Sequence, residues 1–407
     1  MTVRLVPRPT RAGLRALPPL GLYVHLPWCL RKCPYCDFNS HEFAAGQDPI
    51  ALERAYLDAL ERDLEASLPL VWGRPVETVF IGGGTPSLFS GASIERLLAT
   101  VRALLPLVPD AEVTMEANPG TFERARFAEF RAAGVNRLSL GVQSFDDASL
   151  ERIGRVHDGA QARAAAAFAA ATFDTFNLDL MYALPGQTPA QLAEDLRIAC
   201  SYAPPHLSCY HLTIEPNTLF ARHPPNVPDD DTAHAMQDAV GEALSIAGLR
   251  QYEVSAWARD GHRCRHNLNY WSFGDYLGIG AGAHGKLSFH DRIVRHARYR
   301  APARYQASLP PDAQRTGPLE PGAAVEVVRE LDAADLGFEF MLNSLRLVDG
   351  VETGLFEART GVSIAAISPA LREAVARGLL TEDPARLAAT PLGMRFLNDL
   401  QQLFLPD

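Results

Sequence analysis

The sequence predicts an α/β protein: an incomplete barrel of six β/α units followed by a small, mainly helical, winged-helix-like domain. Three observations carry this expectation. Short β-rich apolar runs alternate with amphipathic helical stretches to about residue 250. The alternation lapses to about residue 310, and helical periodicity returns from about 331. A chain of 407 residues exceeds one average domain. The boundaries read as an N-terminal arm at 1–20, the barrel at 21–250, a strand-and-loop lid at 251–310 and the C-terminal domain at 323–407.

The strand-like runs fall at 22–26, 78–81, 112–116, 137–142, 176–181 and 207–213, each closed by Gly, Pro or polar residues. Between the first two, Leu52, Tyr56, Leu57, Leu60 and Leu64 recur at helical spacing opposite acids and Arg, which marks an outer amphipathic helix. Similar stretches lie at 94–105, 122–133, 160–171, 189–202 and 232–247. A full eightfold barrel needs two more units, and the sequence does not present them. From 248 to 310 the chain is rich in Gly, His, Tyr and Trp without regular period, hence the expected lid. After a Pro- and Gly-containing joint at 309–322, helices are expected at 331–345, 365–377 and 391–403, with a hairpin at 379–389.

Composition narrows the function classes. A net charge of −10 disfavours a nucleic-acid surface, which needs concentrated Lys and Arg. The expected recognition helix at 365–377 offers only Arg372 and Arg377 against Glu373, so packing or protein interaction is favoured there. The arm carries Arg4, Arg8, Arg11 and Arg15, and Pro and Arg interrupt every apolar run before it can form a signal-peptide core. No stretch approaches the roughly 20 apolar residues of a membrane span. A cytoplasmic location follows, where clustered thiols stay reduced and favour metal over disulfides.

The strongest signal is Cys29-Leu-Arg-Lys-Cys33-Pro-Tyr-Cys36, which follows the first expected strand. Thiolates suit zinc and iron–sulfur clusters, and zinc could draw a fourth ligand from His41. A [4Fe–4S] cube held by three Cys leaves one iron open. The amino and carboxylate groups of S-adenosylmethionine (SAM) can chelate that iron, and cluster reduction can then cleave the sulfonium to a carbon radical. The spacing C-x3-C-x2-C matches the motif of the radical SAM superfamily. Cys200, Cys209 and Cys264 are isolated and read as structural.

The second expected strand ends in Ile81-Gly82-Gly83-Gly84-Thr85-Pro86, where glycines let the backbone approach a ligand. A phosphate cradle is the other reading, but the Walker lysine is missing. Later strand ends supply Glu116, Gln143 and Asp179, with Arg155 nearby, at the C-terminal ends where barrel sites gather. Each alone also reads as a cap, ion-pair member or turn residue.

In this order these residues resemble the SAM site of the oxygen-independent coproporphyrinogen III oxidase-like family. The likeness runs from about residue 21 to the C-terminus and includes His266-Asn-Leu-Asn-Tyr270-Trp271 and Gly278-Ile-Gly-Ala-Gly-Ala-His284-Gly285. It implies that Cys29, Cys33 and Cys36 hold the cluster and that Tyr23 and Tyr35 flank SAM. Gly83, Gly84 and Thr85 would hold its methionine end, Gln143 and Asp179 face the ribose, and Glu116 and Arg155 complete the polar shell.

Phe38 stands where the oxidases carry another Cys, and only about twenty residues precede the first strand, features similar to the haem-chaperone branch. That resemblance implies haem as bound cargo, delivery to haem-accepting proteins, any membrane contact only through an acceptor, and no decarboxylase activity. His266 is the expected haem contact, with Tyr270 and Trp271 offering aromatic faces. A purely structural role for His266 stays open, and His284 is the second choice. The other functions are coproporphyrinogen III oxidation and another radical SAM chemistry such as methyl transfer.

Overall fold

The computed structural model describes residues 13–43, 46, 48–120, 123–310 and 324–406. Residues 1–12 of the expected arm and most of the 309–322 joint lie outside the described residues.

The chain opens with β1 (Leu20–Leu26), then two short strands, β2 (Trp28–Cys29) and β3 (His41–Glu42), which pair in parallel and bracket the cysteine loop. Helix α1 (Pro49–Val71) leads to β4 (Val76–Gly83), α2 (Gly91–Leu104), β5 (Leu107–Ala117), α3 (Glu123–Ala133) and β6 (Arg137–Gln143). Two helices, α4 (Asp147–Arg152) and α5 (Gly159–Thr172), precede β7 (Thr175–Tyr182), α6 (Pro189–Ser201) and β8 (His206–His211). A short α7 (Leu219–Arg222) and α8 (Asp230–Ile246) complete the alternation. The helices start where their caps stand. The Asp48 side chain accepts from the Ile50 amide ahead of Pro49, while Asp158–Gln161 and Thr188–Gln191 form capping boxes.

Strands β1, β4, β5, β6, β7 and β8 lie side by side in parallel, as the alternation predicts. Their outward residues, such as Leu22, Val24, Val79, Ile81 and Leu178, are buried with the inner faces of the helices. Hiding one such side chain contributes roughly 1.5–3 kcal/mol, which fixes strand register against the helical layer.

The expected lid is the main correction. Strands within 250–298 and 325–330 extend the same sheet. β9 (Arg250–Glu253) and β10 (Ala256–Ala258) add antiparallel strands beside β8. After α9 (Arg265–Trp271), β11 (Asp275–Ile279) runs parallel to β1 on its other side, with Tyr23 opposite Gly278. Strands β12 (His284–Ser288), β13 (Ile293–Arg298) and, past α10 (Pro302–Ala307), β14 (Val325–Glu330) continue antiparallel. The sheet thus has twelve strands with edges at β14 and β9, an open barrel with seven parallel strands in place of the six expected.

Buried charge explains why these strands lack an apolar signature. Asp275, fully buried on β11, takes Lys286 Nζ at 2.9 Å and Arg74 Nη2 at 2.9 Å. Arg298 reaches Asp63 on α1 at 2.8 Å, and the Tyr305 hydroxyl donates to the same carboxylate at 2.8 Å. Paired charges survive burial because each partner replaces lost water.

The C-terminal unit comprises α11 (Ala333–Ser344), β15 (Val351–Glu352), α12 (Gly354–Thr360), α13 (Ser368–Ala376), β16 (Arg386–Leu387), α14 (Pro391–Arg395) and α15 (Leu397–Gln402). β16 pairs with β15, and a bridge joins Leu380 to Ala389 within the expected 379–389 hairpin. Leu336, Phe340, Phe356 and Leu400 form its core. The expected helix at 391–403 is two helices meeting at Phe396, and α12 was not anticipated.

Candidate cluster and cofactor site

The cysteine loop leaves the C-terminal end of β1, so Cys29, Cys33 and Cys36 stand over the ends of the parallel strands. All three thiols are free and half-buried. Ser40 is in hydrogen-bonding reach of both Cys29 and Cys36, the latter at 4.0 Å, and a turn closes from the Cys36 amide to the Cys33 carbonyl at 3.1 Å. Burial pushes the Cys29 and Cys36 thiols up, while neighbouring donors, Thr85 and the Phe38 amide first among them, pull them back. Among the described residues, no three His, Cys, Asp or Glu side chains gather as they would around one metal ion. Three Cys donors on one short loop fit a four-iron cube, which three thiolates hold with one iron left open.

Behind the thiols lies a polar layer that joins the loop to the ends of β4, β5 and β6. Thr85 Oγ1 donates to Cys29 Sγ at 3.5 Å and accepts from Asn118 Nδ2 at 2.9 Å. Arg155 Nη2 donates to Asn118 Oδ1 at 2.6 Å and to the Gly141 carbonyl at 2.7 Å, and its Nη1 lies 3.8 Å from Cys33 Sγ. Arg155 Nε is buried without a hydrogen-bond partner, a guanidinium donor left for an anionic group. Tyr35 stands beside Arg155 and Cys33, its ring 6.5 Å from that of Phe220. Gln143 ends β6 at φ +67° beside a register shift, and its amide crowds over Gly141 next to Asn118 and Arg155. A left-handed non-glycine residue at a strand end is the kind of strain that functional sites retain.

A second patch lies deeper on the β4–β7 side. The Gly83 amide donates to Glu116 Oε2 at 3.1 Å. Burial, helped by nearby Asp179, pushes the Glu116 carboxyl up to about 8. Asp179 is also raised by burial, although Asn177 and Ser139 donate to it at 2.8 and 3.0 Å. The Tyr23 hydroxyl meets His25 Nδ1 at 2.8 Å, and burial with Glu116 nearby drives it well above its ordinary value.

The structure corrects one physical reason. A Cβ at Gly83, which sits at φ +120°, would meet the His25 ring at 2.7 Å, and one at Gly84 would meet the Trp28 carbonyl oxygen at 2.5 Å. These glycines are required first by the chain's own close packing. His25, expected as a strand residue, is also part of the cradle wall, and burial lowers it to about 4, so its imidazole is neutral. Asn118 is the clearest residue the sequence reading missed. Its signal was its place at the end of β5, two residues after Glu116.

His266, the expected haem contact, lies apart from the thiols and from the polar layer behind them. It sits on α9 at the opposite, N-terminal end of the barrel, 2% exposed, between Phe80 and Tyr270. Its Nδ1 bonds to Thr78 Oγ1 at 2.8 Å, its amide donates to Glu112 at 3.0 Å, and burial lowers it to about 3. Only Nε2 lacks a partner.

Three thiols in this spacing at the mouth of an open β/α barrel define a radical SAM protein, and the radical SAM superfamily profile matches residues 23–199. The HemN C-terminal domain profile matches residues 331–396. The chain belongs to the HemW heme chaperone family. It is 48% identical over 393 residues to heme chaperone HemW of Escherichia coli K12, covering 96% of this chain and 99% of the relative. The Haemophilus influenzae HemW is 42% identical, with 96% and 99% covered. A mouse protein named radical S-adenosyl methionine domain-containing protein 1, mitochondrial, is 36% identical, with 98% and 90% covered. Among solved structures, the coproporphyrinogen III oxidase HemN of Escherichia coli superposes with a TM-score of 0.78 at 24% identity, covering 95% of this chain and 90% of that one. That likeness establishes the shared fold. Radical SAM proteins work with a [4Fe–4S] cluster and SAM, and the donor set fits both.

Proposed function

We propose that this protein is a cytoplasmic haem chaperone that binds haem and passes it to haem proteins. The observation that carries the reading is the full-length likeness to proteins named heme chaperone HemW, at up to 48% identity among the relatives compared. Phe38, exposed on the cysteine loop where the oxidases carry a further Cys, supports chaperone over oxidase. Cys29, Cys33 and Cys36 would hold the cluster. When bound, the cluster supplies an electron to SAM.

The chain's own residues divide the remaining work. Arg155, through its unpartnered Nε, takes the SAM carboxylate. Gly83, Gly84 and Thr85 shape the wall at the methionine end. Tyr23 and Tyr35 flank the ligand, and Gln143, Asp179 and Glu116 face its polar groups. Burial beside Asp179 raises the Glu116 carboxyl to about 8, so it holds its proton near neutral pH until a cationic ligand displaces it. Among the described residues no helix is long and apolar enough to cross a membrane, and the comparisons lend no support to membrane contact through an acceptor.

The test is anaerobic reconstitution followed by haemin titration and transfer to an apo haem protein. Stoichiometric binding and transfer are expected. Conversion of coproporphyrinogen III to protoporphyrinogen IX by the reduced protein with SAM would overturn the reading.

A further inference from the structure

A cleft of about 590 Å³ lies between the β12–β14 face and α11, separate from the cysteine-loop network. Register fixes which side chains share it. His284 pairs with Ala297 and Ala297 with Val327, and Arg295 pairs with Arg329, so alternation puts all five on one face. Helix α11 faces them with Asp335, Phe338, Glu339 and Leu342, a stripe at helical spacing, and Leu405 lies at the rim.

Two properties mark this cleft as a ligand seat. Val327, Leu342 and Leu405 are 53%, 38% and 52% exposed, an apolar lining left open to water on one short arc. The same walls carry cations and an imidazole. Arg295 holds Glu339 at 2.7 Å and Tyr276, and Arg329 holds Asp335 through Nη2, leaving a half-exposed guanidinium with further donors. No side-chain hydrogen bond of His284 is seen among the described residues, and burial, then Arg295 and Arg300, lowers its ring below its ordinary value.

The chemistry that matches these features is a broad apolar disc bearing carboxylates and a metal that accepts imidazole. We infer that haem seats in this cleft, with His284 ligating its iron and Arg329, helped by Arg295, binding its propionates. The inference rests on the haem-chaperone reading and assigns its cargo site. The turn that leads into His284 is tied to the cysteine loop, since Asn39 Nδ2 donates to the Ala281 carbonyl at 2.9 Å, so the cargo would lie beside the cluster end.

The experiment titrates haemin, and separately haemin dimethyl ester, into the anaerobically reconstituted full chain, reading the Soret band and affinity. In wild type, haemin binds with a shifted Soret band. His284→Ala, an exposed position, changes that spectrum and weakens binding by about tenfold or more, the scale of one lost strong contact. Arg329→Ala weakens haemin by a similar factor and leaves the ester's affinity at the wild-type value. Haem bound by wild type and by His284→Ala with the same spectrum and affinity overturns the seat while leaving the chaperone reading intact. Failure of wild type to bind haemin overturns both.

Discussion

Replacing Arg155 with Met retains much of the side-chain stem and removes the guanidinium from the polar layer behind the cluster loop. Two of its hydrogen bonds, at 2.6 Å to Asn118 and 2.7 Å to the Gly141 carbonyl, are lost, and both acceptors stay largely enclosed. Hydrogen bonds from a charged donor contribute about 1.5–3 kcal/mol each, so the gross loss is about 3–6 kcal/mol. Relief from burying a charge offsets part of that, and a net destabilisation of about 3 kcal/mol is expected. Denaturant unfolding under anaerobic conditions measures it. Calorimetry with SAM reads the second effect. Without the guanidinium the SAM carboxylate loses a contact of about 1.5–3 kcal/mol, weakening Kd about 10- to 100-fold. Arg155→Lys should fall between, because an ammonium cannot span Asn118, Gly141 and the ligand together. A methionine variant that unfolds like wild type and binds SAM with unchanged affinity would refute the assignment.

Three further outcomes follow from named contacts. Cys33→Ala should lose most iron after reconstitution, along with the broad absorption near roughly 400 nm; a full four-iron cluster in that variant would sink the ligand assignment. Glu116, raised to about 8 from an unfolded value near 4.5, keeps a proton that the unfolded chain releases, so its contribution to stability falls as pH rises through that window. A cationic ligand selects the carboxylate, so SAM binding near pH 7 should release a proton, read as binding heats that differ between buffers of unlike protonation enthalpy. Equal heats in both buffers, or a Glu116→Gln variant with wild-type proton release, would remove Glu116 from the linkage. Asp63→Ala should destabilise by about 3–5 kcal/mol because it strands buried Arg298, and a loss under about 1 kcal/mol would show the pair to be solvated.

The six β/α units were legible because each strand buries aliphatic residues against a helix that repeats at its own period. Period and punctuation together recover register there without tertiary information. Residues 250–330 defeated the same reasoning for a physical reason. Their buried positions carry Asp275, Lys286 and Arg298, which look like surface residues until their partners are known. Arg74 and Asp63 lie far back in the chain, so no local window can reveal that these charges are matched. Of the candidate residues, Glu116 and Asp179 lie on β5 and β7, where the alternation placed them, while Arg155 lies between α4 and α5. Asn118 was not legible, because an Asn before Pro reads equally as a turn. The burial of His266 was not legible either, because an aromatic-flanked imidazole has the same sequence signature at the mouth of a barrel and at its base.

The placement of β11 beside β1 sets an order on synthesis. One flank of the first strand cannot be covered until residue 279 has left the ribosome, although the other is matched once β4 exists. Through most of translation the nascent barrel therefore presents an apolar strand with free amide and carbonyl groups, the template on which foreign strands add. The cysteine loop hangs from that same strand, so a firm platform for the iron centre arises only when the last third of the chain returns to close over it. A chain cut near residue 250, after its last β/α unit, would hold every thiol of the centre yet leave its supporting strand at an exposed edge.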